Sequence, residues 1–135
     1  MPERHPRGLI DTSVVISLES VAADDLPGEL AVSTITMAES RRTHATGDAE
    51  ERARRQDRLQ RTEATFDPLP FDEDAARSYG LIYAAVVSEG RKARGARAVD
   101  LLIAAVAATN DLPLYTRNPA DFAGLDDVVE IVAID

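Results

Sequence analysis

From Ala98 to Asn110 the chain is apolar almost all the way round, with Asp100 as an early charged interruption. A helix without a polar face must be covered on every side, so this segment predicts a helix buried between a sheet and another layer. Short apolar runs can supply that sheet: Gly8-Leu9-Ile10, Leu30-Ala31-Val32-Ser33, Thr65 to Pro70, Pro113 to Thr116, and Val128 to Ile134. All have strand length, and the prolines of the third mark it as an edge strand. The intervening stretches read as helices. They are Val14 to Glu19, Ile35 to Thr43 with Ser33, Thr34 or Thr36 as possible caps, and a charge-laced helix over Asp48 to Glu63. In a fourth, Ala75, Tyr79, Ile82, Tyr83 and Val86 recur at helical spacing before Gly90 closes it. Strands alternating with helices predict an α/β fold: a short parallel sheet flanked by helices in three layers.

The chain's 135 residues are enough for a single domain, read here as spanning 1–135. Aromatics are only 4% of the residues and tryptophan is absent, so the core must be aliphatic. The longest apolar run, Leu101 to Ala108, falls well short of the roughly 18 residues that span a bilayer. Met1 to Arg7 has no apolar signal-peptide core, and the expected location is the cytoplasm with no membrane contact. Without cysteine, and with only His5 and His44 as imidazoles, a zinc site has too few ligands. Any metal must be held by oxygen.

A net charge of −9 argues at first against phosphate-rich partners. Its distribution weakens that objection. Arg41, Arg42, Arg52, Arg54, Arg55, Arg58 and Arg61 crowd one region, and Arg91, Lys92, Arg94 and Arg97 form a second patch beside a glycine-bounded loop. Either patch can be a solvated surface, but the second is the candidate for guiding a phosphate backbone.

In open parallel sheets, ligands bind at the carboxyl ends of the strands. Here the residues at those ends are acids. Asp11 follows the first strand, Glu39 lies shortly after the second, Asp121 follows the fourth, and Asp100 opens the most apolar helix. Each also has a structural reading: Asp11 as a helix cap, Thr36 with Glu39 as a capping box, Asp100 as an answer to the helix dipole, and Asp121 as the start of a short segment. Four acids drawn to one edge would repel one another, and a hard divalent cation is the usual compensation. Magnesium suits an all-oxygen site and can activate water against a phosphodiester. The sequence contains no GxGxxG, no GxxxxGK and no His or Cys nucleophile with a partner.

Leu9-Ile10-Asp11-Thr12-Ser13, Ala38-Glu39, Asp100-Leu101-Leu102-Ile103-Ala104-Ala105 and Thr116-Arg117-Asn118-Pro119-Ala120-Asp121-Phe122 occur in that order. Together they resemble the motifs of the PIN-domain ribonucleases and, within them, the VapC-type toxins of bacterial toxin–antitoxin modules. The resemblance implies Mg2+, or Mn2+, held by Asp11 and Asp100 with help from Glu39 and Asp121, or from Asn118 through water. Thr12, Thr116 and Asn118 become the residues that orient carboxylates and waters. It further implies cleavage of structured RNA (tRNA, rRNA or mRNA), a homodimer, and a VapB-like antitoxin that joins it in a heterotetramer or larger assembly. One departure is Ser40, where many relatives carry leucine. The alternative is a PIN fold that binds RNA or protein without catalysis. Two other acid-cluster classes fit worse: an aspartyl phosphatase needs an acid where Ser13 stands, and a receiver domain needs a late lysine, whereas Lys92 is the chain's only one.

Overall fold

The computed structural model describes residues 5–44, 47–88 and 96–134, apart from some helical side chains. Arg91, Lys92 and Arg94 lie outside the described residues, as does the side chain of Arg97. The strands are β1 (Arg7–Ile10), β2 (Glu29–Ser33), β3 (Asp67–Leu69), β4 (Leu114–Thr116) and β5 (Ile131–Ala133). They pair in the order β3-β2-β1-β4-β5, and every pairing is parallel. All carboxyl ends therefore share one edge.

Side chains alternate across this sheet and divide the core in two. Leu9, Ala31 and Leu114 face one way, against α4 (Glu73–Ser88) and α5 (Ala96–Thr109), where they meet Ala75, Ile82, Val86 and Leu101. Ile10, Val32 and Tyr115 face the other way and pack with Val14 of α1 (Thr12–Ile16), Phe66 and Ile134. On this second side Met37 of α2 (Thr34–His44) is also packed. Helices thus cover both faces, as the apolar Ala98–Asn110 segment requires. The arginine-rich segment forms α3 (Ala49–Thr65). Among the described residues no helix is long and apolar enough to cross a membrane.

Several boundaries differ from expectation for local reasons. α1 starts two residues early because Asp11 caps it, and it stops at Ile16, where the Ser17 hydroxyl donates back to the Ser13 carbonyl at 2.6 Å. β5 is shorter than Val128 to Ile134. Gly124 adopts a left-handed φ of 90°, and the amides of Val128 and Val129 both turn back to the Leu125 carbonyl. α2 is capped by Ser33, whose hydroxyl accepts the Ile35 amide at 3.0 Å. Thr36 therefore lies inside the helix, and the Thr36–Glu39 capping box does not form.

The end of α5 fixes where its beginning lies. The Leu112 amide donates to the Ala107 carbonyl at 2.9 Å and the Asp111 amide to Ala108 at 3.2 Å, with Asp111 at φ 53°. This closing turn delivers the chain to the amino end of β4. The opposite end of α5, which carries Asp100, consequently lies toward the carboxyl edge.

Candidate active site

Asp11 is the residue directly after β1 and is only 5% exposed. Its Oδ1 caps α1 by accepting the Val14 amide at 3.1 Å, and it also accepts the Ser13 hydroxyl at 2.6 Å. The Thr116 hydroxyl, at the end of neighbouring β4, bonds to the same carboxylate. Burial nevertheless wins: it raises the Asp11 pKa above 3.8, against the lowering effect of bonds from Ser13, Thr116 and Val14. All of these partners are neutral. Among the described residues no lysine or arginine answers the charge.

Glu39 is half-buried on α2, and its Oε1 accepts the Thr12 hydroxyl at 2.9 Å. Adjacent residues of α1 therefore face two acids, since Thr12 holds Glu39 and Ser13 holds Asp11. Thr116 is fully buried and has a second duty, accepting the Asn118 amide at 3.0 Å. Asn118 thus touches the site through its backbone, via Thr116.

The other two acids lie on other elements. Asp100 is half-buried, and because α5 begins at Ala96, it opens the second turn and not the first. Asp121 is exposed on the short 3-10 turn Pro119–Phe122, where its amide donates to the Asn118 carbonyl at 3.0 Å. Among the described residues no three acidic or imidazole side chains converge as a metal-holding group. Thr12, Thr116 and their two carboxylates come together, whereas the four acids do not form a closed cage.

Ser13 is a site residue that the sequence reading passed over. Its hydroxyl donates to Asp11 and accepts the Arg117 amide at 3.0 Å, joining the ends of β1 and β4. The available signal was a third hydroxyl-bearing or acidic residue in the run Asp11-Thr12-Ser13 at a strand end.

This donor set suits a hard divalent cation. Magnesium commonly takes one or two carboxylates directly and keeps waters elsewhere, so a closed cage is not needed. A buried carboxylate with neutral partners is the group such a cation relieves. Thr36, on the same helix as Glu39, adds a buried hydroxyl with no hydrogen-bond partner among the described residues.

Comparison with known proteins gives the family. The profile of the PIN domain matches residues 9–127, from β1 through all the acid-bearing segments. The chain belongs to the PIN-domain family. It is 38% identical over 133 residues to Ribonuclease VapC5 of Mycobacterium tuberculosis, covering 94% of this chain and 95% of that protein. Among solved structures it is similar to VapBC-5 from M. tuberculosis, a member of the VapBC family of toxin–antitoxin systems. That match has a TM-score of 0.81 and 35% identity, over 95% of this chain and 98% of the other. FitAcB from Neisseria gonorrhoeae superposes with a TM-score of 0.72 at 28% identity, over 91% and 94% of the two chains.

Within this PIN domain the departure at Ser40 falls on a fully buried position of α2. It alters the packed side of the helix, and Glu39 remains held by Thr12.

Proposed function

We propose that this PIN domain is a metal-dependent endoribonuclease, the toxin of a VapBC-type toxin–antitoxin pair acting in the cytoplasm. The observation that carries the reading is Asp11: a buried carboxylate at the carboxyl edge, surrounded by neutral donors, beside a second carboxylate held by the adjacent residue. The VapC kinship of the chain supports the same reading.

In this proposal Asp11 and Asp100 hold Mg2+ or Mn2+, with Glu39 and Asp121 contributing, directly or through water. When bound, the cation supplies activated water and offsets charge developing on the scissile phosphate. The protein's part is orientation. Ser13 and Thr116 fix the Asp11 carboxylate, and Thr12, the next residue, holds Glu39 across the α1–α2 contact. The exposed position of Asp121 suits it to the outer side of the site, and Asn118 is the alternative there, through water. Arg91, Lys92, Arg94 and Arg97 guide the RNA backbone as sequence-independent contacts.

For partners we propose a VapB-like antitoxin, as in the VapBC complexes that this chain resembles, and a homodimer of the chain itself, forming a heterotetramer or larger complex together. The dimer is supported by Tyr83 and Val87, one turn apart on α4, apolar side chains that are 44% and 50% exposed. Val87→Lys is expected to lower the mass seen in light scattering to that of one chain. An unchanged mass would remove this face from the dimer.

The decisive experiment incubates the purified chain with a total RNA pool. Cleavage is expected with Mg2+ or Mn2+ and should stop in EDTA. Cleavage that persists in EDTA refutes the metal-dependent reading, and RNA binding without cleavage under any metal points to a non-catalytic module.

A further inference from the structure

Thr36 is fully buried, and its hydroxyl has no hydrogen-bond partner among the described residues. That is an unusual condition. A buried hydroxyl ordinarily finds a partner, but Thr36 stands in the first turn of α2, where the residue four back, Val32, belongs to β2. An unpaired buried hydroxyl is a standing cost that valine, of nearly the same shape, avoids. The Thr36-x-x-Glu39 pattern offered a capping role for this hydroxyl, but Ser33 fills that role.

What the hydroxyl lies beneath follows from helix geometry. Thr36 and Glu39 are three residues apart and share a face, and helical side chains lean toward the N-terminus. The Glu39 carboxylate therefore extends over the turn that carries Thr36. Its Oε1 already accepts Thr12 from α1. Within the described residues nothing else bonds this carboxylate, so an acceptor and an orphaned donor sit on adjoining turns.

We propose that Thr36 is a positioning residue of the metal site: when Glu39 turns to a bound cation, the Thr36 hydroxyl donates to its carboxylate and fixes its direction. The inference rests on the metal-dependent reading above. Glu39 is then held by two hydroxyls, Thr12 from the neighbouring helix and Thr36 from its own. The hydroxyl left unpaired in the metal-free protein is satisfied in the loaded one.

The test is Mn2+ affinity, followed by electron paramagnetic resonance on the full chain, with thermal melting as the control for folding. Thr36→Val should melt no lower than wild type without metal, yet bind Mn2+ about 10- to 100-fold more weakly, the usual effect of losing a residue that orients a ligand. Thr36→Ser, which keeps the hydroxyl, should retain most of the affinity. In a Glu39→Gln background, Thr36→Val should cost nothing further, because the group it positions has gone. Wild-type affinity in Thr36→Val, or the same loss with and without Glu39, overturns the proposal while leaving the nuclease reading intact. Should Thr36→Val not fold, Thr36→Ala replaces it. Both alanine and serine lose the methyl, so equal Mn2+ affinity in the two also overturns the proposal. A wild-type chain that binds no Mn2+ overturns both this inference and the metal-dependent reading.

Discussion

The two ends of the one parallel sheet treat charge in opposite ways. At the amino end, Arg7 of β1 bonds Asp67 of β3 and lies 4.0 Å from Glu29 of β2, while His5 meets Glu130 at 3.1 Å where β5 begins. Acids there face basic side chains. At the carboxyl end, Asp11 and Glu39 receive hydroxyls and backbone amides and, among the described residues, nothing cationic. Pairing charges within the chain stabilises an edge and leaves it inert. Surrounding a buried carboxylate with neutral donors keeps it oriented but uncompensated, a condition suited to a charge that arrives from outside.

The strongest way to break this contrast is Asp11→Asn. RNA cleavage is expected to fall by more than the 10- to 100-fold typical of losing an orienting residue, in a gel assay with Mg2+. The metal-free variant should melt at the wild-type temperature or above, since burial penalises the charged form that asparagine lacks. A variant that cleaves normally, or one that melts far lower, would show that Asp11 is only a helix cap.

A smaller effect, read from pH, sharpens the comparison. Because the folded Asp11 pKa lies above its ordinary 3.8, the native state keeps a proton that the unfolded chain has already lost. Its contribution to stability is therefore present below that value, declines as pH rises through the window up to the folded pKa, and stays lost above it. Urea melts of wild type and Asp11→Asn should diverge across that window, with wild type losing relative stability. At neutral pH, Mg2+ should restore wild type and leave the variant unchanged. Parallel profiles would mean that Asp11 is compensated by some other group.

The smallest effect belongs to the amino end. Arg7→Met removes partly exposed ion pairs, which are worth about 0.2–1 kcal/mol. Cleavage should be unaltered in the same assay, and a large loss of activity would contradict the division between the two ends.

Much of this was legible in local patterns. Leu9-Ile10 before Asp11 announced a buried strand ending in an acid, and the apolar Ala98–Asn110 run announced a helix covered on all sides. Glu39 was ambiguous because Ser33 and Thr36 both fit a cap. The choice depended on α2 beginning at Thr34, a boundary that no single residue dictates. Asp121 followed the fourth strand as expected, but the Pro119-led turn holds it at the surface. Ser13 stood in a legible polar run, but its role in joining β1 to β4 could not be read locally, because its second partner, the Arg117 amide, is 104 residues away. Long-range bonds of this kind are set by sheet order, which puts β1 beside β4.

That bond also sets a timetable. Asp11 leaves the ribosome well before Thr116 and Arg117, which help to hold it. Domains assemble as units once their distant segments are available, so a nascent chain lacking β4 has Asp11 without its frame. The frame around Asp11 is completed only once β4 has been made, so a chain stopped short of β4 carries an unframed carboxylate.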